Sequence, residues 1–104
     1  MLFRSFQALL RLLDTGRVWV KLSGAYMLSR SGPPHYEDIG VLARALIRHA
    51  PQRMVWASNW PHPLPPDDHS PDDAGLLDLL LDWAPDARVR HAILVDNPEK
   101  LYGW

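Results

Sequence analysis

Ser58, Asn59 and His62 follow directly on an apolar run, within the stretch Val55-Trp56-Ala57-Ser58-Asn59-Trp60-Pro61-His62-Pro63. A parallel strand that ends in small polar residues and a proline-stiffened turn delivers those side chains to the mouth of an α/β fold. The chemistry on offer there is the positioning of water and of a carbonyl group. A hydroxyl or an amide can orient water or donate to a carbonyl oxygen. Residue 59 matters most. An aspartate there would take a proton from water and hold a cation. The amide of Asn59 is not a useful base near neutral pH and carries no negative charge. Ser58 has two readings, a strand-end residue that satisfies local backbone groups and a substrate contact. His62 sits between two prolines and is read either as a hydrogen-bonding group that fixes the turn or as a substrate contact.

A second set of polar residues closes the run Arg17-Val18-Trp19-Val20-Lys21-Leu22-Ser23. Ser23, Gly24 and Tyr26 fall on the same presumed face, and Arg30 lies in the loop beyond. A guanidinium in that loop either holds a carboxylate through paired hydrogen bonds or stays solvated. His35, His49, His69 and His91 lack the close His-x-His or His-x₃-His spacing of a zinc site. His49 stands near a helix C-terminus, where a cation is favourable. Asp67, Asp68, Asp72 and Asp73 read as a solvated loop and a helix start rather than a metal cluster. No metal ligand is assigned within the chain. The sequence has no phosphate loop, no Gly-x-Gly-x-x-Gly and no nucleophile elbow.

The elements that must position these groups follow from periodicity. Leu2, Phe3, Phe6, Leu9, Leu10 and Leu13 recur at three- and four-residue steps, which predicts a helix ended by Asp14-Thr15-Gly16, with Gly16 in the left-handed conformation. Arg17 to Ser23 is short, β-branched and apolar almost throughout, the pattern of a buried parallel strand. Ile39, Leu42, Ala43, Leu46, Ile47 and Ala50 form a second helical stripe, stopped by Pro51. Met54 to Ser58 is the second strand, so residues 17–58 form a right-handed βαβ unit. Ser70-Pro71-Asp72-Asp73 supplies a cap, a first-turn proline and two helix-start acids. Leu76, Leu77, Leu80 and Leu81 are the expected buried face of that helix. Another helix is predicted from Asp86 to Val95, and Asn97-Pro98-Glu99-Lys100 reads as a cap and first turn of a short terminal helix.

The predicted order is therefore α-β-α-β-α-α-α, with two parallel strands. Two parallel strands with both edges open do not make a stable sheet. The helices are amphipathic enough to cover a larger sheet, and alternating α and β units suggest part of a barrel or doubly wound sheet. A complete (β/α)₈ barrel needs roughly 200 residues or more, so these 104 residues are read as one partial unit, 1–104, truncated at its N-terminus.

Composition narrows the partners. A net charge of −1 offers no basic field for nucleic acid or an acidic membrane surface. No apolar stretch approaches the roughly 18 residues of a membrane span, and Met1 to Leu13 lacks a signal-peptide cleavage site. With no cysteine there is neither a disulfide framework nor thiolate chemistry, which fits a cytoplasmic location. An apolar content of 47 % belongs to a core-forming chain.

Four stretches carry a family resemblance: Val18 to Ser23, Val55 to Pro63, Ser70 to Asp73, and Leu94-Val95-Asp96-Asn97-Pro98-Glu99-Lys100-Leu101-Tyr102. In order and spacing they resemble the C-terminal end of the amidohydrolase superfamily, and within it the 2-pyrone-4,6-dicarboxylate lactonase group. The resemblance implies that the two strands are the seventh and eighth of a TIM (β/α)₈ barrel, and that Met1 to Leu13 is the helix before strand seven. It implies hydrolysis of a small carboxylated lactone or related cyclic ester or amide. The family's eighth strand ends in an Asp that accepts a proton from the attacking water and, in metal-dependent relatives, ligates a divalent metal. Asn59 occupies that position and is the catalytic candidate. Ser58, Tyr26, Arg30 and His62 are the substrate-binding candidates. The arginine that lactonase-type relatives carry near position 27 is Met27 here, with Arg30 as the substitute. The first-strand His-x-His has no counterpart in the chain.

Two expectations follow. In the first, the chain is the C-terminal portion of a lactonase-type hydrolase, with a small-molecule substrate bound in the complete barrel and no cofactor held by this portion alone. In the second, it is a non-catalytic barrel remnant or inactive truncated product that self-associates or pairs with an N-terminal barrel half through its open strand edges.

Overall fold

In the computed structural model the described residues are 2–23, 29–31, 36–58 and 73–103. Helix α1 spans Leu2–Asp14, strand β1 Val20–Leu22, helix α2 Glu37–His49 and strand β2 Met54–Trp56. Helix α3 spans Asp73–Trp83, helix α4 Ala87–His91 and helix α5 Asn97–Tyr102. A 3₁₀ turn over Pro51–Arg53 leads into β2, and a π-helical turn over Ala92–Asp96 joins α4 to α5.

The two strands pair in parallel, with Val20 opposite Met54, Lys21 opposite Val55 and Leu22 opposite Trp56. Both are shorter than the apolar runs that form them. Arg17 to Trp19 fall outside β1 because the residues that would face them, ending at Arg53, are wound into the 3₁₀ turn and offer no ladder. At the other end, Ser23, Ala57 and Ser58 leave the ladder at the polar residues.

Alternation along the strands divides the sheet into two faces. Val20, Leu22, Met54 and Trp56 pack with Leu13, Leu46, Ile47, Leu80, Trp83 and Ile93 in one core. On the other face Val55 is buried as well, outside that cluster. Lys21, also on that face, is exposed.

Each helix can be traced to its sequence. In α1, Leu13 is buried, and Phe6, Leu9 and Leu10 pack against the core. Its end is set as predicted. Gly16 adopts φ 74°, and the Thr15 and Gly16 N–H groups donate to the Leu12 and Leu13 carbonyls. Helix α2 buries Gly40, Ala43, Leu46 and Ile47. Gly40 is needed for closeness, since a Cβ there would stand 3.2 Å from Nε1 of Trp83 on α3.

Two predicted details need correction. The buried face of α3 is Leu76, Leu79, Leu80 and Trp83, an i, i+3, i+4, i+7 set, while Leu77 and Leu81 are exposed. Leu77 and Leu81 share their own i, i+4 row on the flank, where no described element covers them. The predicted cap at Asn97 is also absent. The chain runs on in right-handed helical conformation through Asp96, so Asn97 has no helix start to cap. Its side chain is buried and donates from Nδ2 to the carbonyls of Pro51 (2.8 Å) and Met54 (2.7 Å). The true N-cap of this last helical segment is Asp86, whose Oδ1 accepts the Arg88 N–H at 2.9 Å. The Ser70-Pro71 cap predicted for α3 lies outside the described residues. No helix among the described residues is long and apolar enough to cross a membrane.

Asn97→Ala is expected to lower the unfolding free energy by about 1–2 kcal/mol, because the buried Met54 carbonyl loses this donor while the partly buried Pro51 carbonyl keeps the Met54 N–H. A urea titration followed by circular dichroism reads this as a lower midpoint. An unchanged midpoint would show that the tie contributes nothing.

Candidate functional site at the strand ends

The ends of β1 and β2 bring Ser23 level with Ala57 by continuation of the register, with Ser58 one residue beyond. Both serines are half-buried, and Ser58 already has an interaction partner. Asn59, His62 and Tyr26 lie outside the described residues, as do Gly24, His35, His69, Asp67, Asp68 and Asp72. Among the candidates from the sequence, the structure therefore describes Ser23, Ser58 and Arg30.

Arg30 lies in the connection from β1 to α2, and its position is set through its backbone. The Arg30 N–H donates to Oδ2 of Asp38 at 2.6 Å, and the Ser29 hydroxyl donates to Oδ1 at 2.5 Å. Oδ1 also accepts the Ile39 N–H at 2.9 Å. Asp38 stands in the first turn of α2, where a negative charge is favoured by the helix dipole. The Ser29 hydroxyl, followed by the Arg30 N–H, holds the Asp38 carboxyl well below the usual carboxylate range. Partial burial acts in the opposite direction and is outweighed. Just before this helix, Tyr36 is buried in a left-handed conformation with φ 45°. The sequence reading gave Asp38 no role. The signal was present in Ser29-Arg30-Ser31 followed by a first-turn acid, but the loop-to-helix contact that unites them is tertiary.

The opposite ends of the strands carry a different kind of chemistry. The Arg53 guanidinium stacks 4.5 Å from the centroid of the Trp19 ring and donates to the Gly16 carbonyl. His49 Nε2 stands 2.7 Å from Oδ1 of Asp14. These contacts join the C-termini of α1 and α2 to the start of β2, around a cleft of about 350 Å³ that Lys100 also lines. His49 is thus paired with an acid on another helix. His91 likewise faces Asp96, at 3.3 Å on the surface. Among the described residues no three His, Asp or Glu side chains come together to hold a metal ion. The described donor set does not fit a divalent cation.

Comparison with known proteins places this geometry in a family. The sequence profile described as amidohydrolase matches residues 3–104. The chain is 46 % identical over 96 residues to a D-galactarolactone isomerase of Agrobacterium fabrum, a match covering 91 % of this chain and 32 % of that protein. It is 46 % identical over 99 residues to a 4-sulfomuconolactone hydrolase of Rhizobium radiobacter, covering 94 % and 33 %. A 2-pyrone-4,6-dicarboxylate hydrolase of Comamonas testosteroni is 39 % identical over 92 residues, covering 82 % and 30 %. Among solved structures, an apo crystal structure from Agrobacterium tumefaciens superposes with a TM-score of 0.84 at 44 % identity, covering 94 % of this chain and 34 % of that one. A Pseudomonas putida protein described as a 2-pyrone-4,6-dicarboxylic acid hydrolase gives a TM-score of 0.72 at 33 % identity, covering 94 % and 36 %. The chain spans about a third of the length of the relatives it matches, and it corresponds to their C-terminal part.

The Asp38 clamp carries a pH dependence of definite sign. Its carboxyl is depressed from an ordinary value of 3.8, so its stabilisation is complete above about pH 4 and is lost as pH falls below that. Hydrogen exchange of the Arg30 and Ile39 amides is therefore expected to stay slow down to pH 4 and to speed up in stronger acid, beyond the intrinsic change with pH. In Asp38→Asn the same amides should exchange faster at pH 7. Equal protection in the two chains at pH 7 would remove the clamp from the description.

Proposed function

The chain belongs to the amidohydrolase family, and on that premise we propose that it is the C-terminal portion of a lactonase-like hydrolase. In this reading β1 and β2 are the seventh and eighth strands of a (β/α)₈ barrel, and the polar strand ends face its active-site mouth. The substrate is a small carboxylated lactone, opened by attack of water on the ring carbonyl. The ring C–O bond breaks and the product is a hydroxy acid.

One observation carries the reading. Three relatives, 39–46 % identical over 82–94 % of this chain, are named for lactones or a pyrone. Two of the three are named as hydrolases. The residue roles are part of the proposal. Asn59 aligns the attacking water or the carbonyl, at the position where the family resemblance implies an Asp. Because an amide does not take up the proton of water, the base comes from the remaining two thirds of the barrel. Arg30, held by its backbone on Asp38, presents its guanidinium to a substrate carboxylate. Tyr26, His62 and Ser58 complete the substrate contacts.

A second reading is favoured by the similarity to an isomerase at 46 % identity. Here a hydroxyl of the substrate, rather than water, attacks the lactone carbonyl. One ring ester forms as the other breaks, and no water is consumed.

The purified chain alone is expected to show no lactone hydrolysis above background. Supplied with the N-terminal two thirds of the Agrobacterium fabrum relative, it is expected to turn over galactarolactone or muconolactone substrates. NMR of the product distinguishes the readings, a ring-opened acid for hydrolysis and a rearranged lactone for isomerisation. Asn59→Ala should cost about a hundredfold. Asn59→Asp should raise ring opening by about a hundredfold if water is the nucleophile. No turnover from any reconstituted barrel, with folding verified, would leave the non-catalytic module standing instead.

A further inference from the structure

Lys21 is the charged residue that the sheet does not explain. Parallel strands are usually apolar on both faces, and lysine is depleted in strands. Here it stands between Val20, which packs against the core, and Leu22, which is buried in it. Its register partner is Val55, which offers no charge. No ion pair or hydrogen bond joins the Lys21 side chain to another described residue. By strand alternation the side chain leaves the sheet on the face opposite Val20 and Leu22, which it shares with the buried Val55.

In the barrel reading, on which this inference rests, that face is the lumen. An ammonium inside a closed barrel is costly unless an anion meets it. Lys21 is one residue below the C-terminal end of β1, and its four-carbon stem is long enough to reach the mouth, beside Ser23 two residues on. Ser23, half-buried, shares this face by strand alternation and adds a hydroxyl donor. Among the described residues no carboxylate stands within ion-pair distance of Lys21. We propose that Lys21, with Ser23, is a carboxylate-binding site at the mouth of the barrel, which holds a carboxylate substituent of the small-molecule substrate. This anchor is distinct from Arg30 because it rises from the strand rather than from the loop.

The chain is suited to a direct test, since Lys21 and Lys100 are its two lysines. Lys100 lines the cleft at the opposite ends of the strands and serves as an internal control. Reductive ¹³C-methylation of the full chain, which is then mixed with the unlabelled N-terminal two thirds of the Agrobacterium fabrum relative and verified as an assembly by size exclusion, gives a separate NMR signal for each. Titration with muconate dianion is expected to displace the Lys21 signal saturably and several-fold more than that of Lys100. The neutral dimethyl ester should move neither. In Lys21→Gln, with an unchanged circular dichroism spectrum, affinity read from the Leu22 and Ser23 amides should fall about tenfold or more. Lys21→Arg should retain most of it. Equal displacement of the two lysine signals, or an equal response to the neutral ester, would overturn the proposal. The titration contains no turnover step, so a failed lactone assay and a failed carboxylate site are separate results.

Discussion

The buried amide of Asn97 is the interaction on which the rest of the arrangement depends. Its Nδ2 reaches the carbonyls of Pro51 and Met54, the first residues of the 3₁₀ turn and of β2. Where β2 begins sets which residue faces Val20, and therefore the whole parallel register. A satisfied buried amide is cheap to keep and expensive to break, because removing it takes a donor from the buried Met54 carbonyl and leaves Pro51 with the Met54 N–H alone. The last helical segment thus fixes the position of a strand more than forty residues earlier. Through the register it also fixes the level at which Ser23 and Ser58 leave the sheet.

The two ends of the sheet are built for different purposes. At the N-terminal ends, Arg53 on Trp19 and His49 on Asp14 tie helix ends to the start of β2. At the C-terminal ends the polar groups are strand-end hydroxyls and a loop held from outside by Asp38. In the barrel reading this is the expected division between a stabilising floor and a working mouth. The faces also differ, with the core cluster on one and, on the other, the exposed Lys21, which has no ion pair among the described residues.

Much of this was legible from short-range pattern. The stripes of α1 and α2, the glycine end of α1 and the two apolar strands all rest on spacing within about a dozen residues, and the family resemblance on the order of four such short stretches. The misreadings rest on longer contacts. Leu77 and Leu81 look as apolar as Leu76 and Leu80, and only the direction of packing against α2 separates them. Asn97 before proline resembles a cap, and its actual partners lie in another element. Asp38 has no motif of its own, and its role exists only once the Ser29-Arg30 loop is folded against α2. Asn59, His62 and Tyr26 were singled out by chemistry at a strand end, and they lie outside the described residues.

The central claim is that the β1–β2 pair is part of a larger parallel sheet. Hydrogen exchange at residues 20–22 and 54–56 tests it most directly, comparing the chain alone with the chain mixed with the N-terminal two thirds of the Agrobacterium fabrum relative. Outer-edge amides of both strands should become protected on mixing, as new parallel neighbours pair with them. Unchanged exchange at both edges, with binding of the two pieces verified, would contradict it.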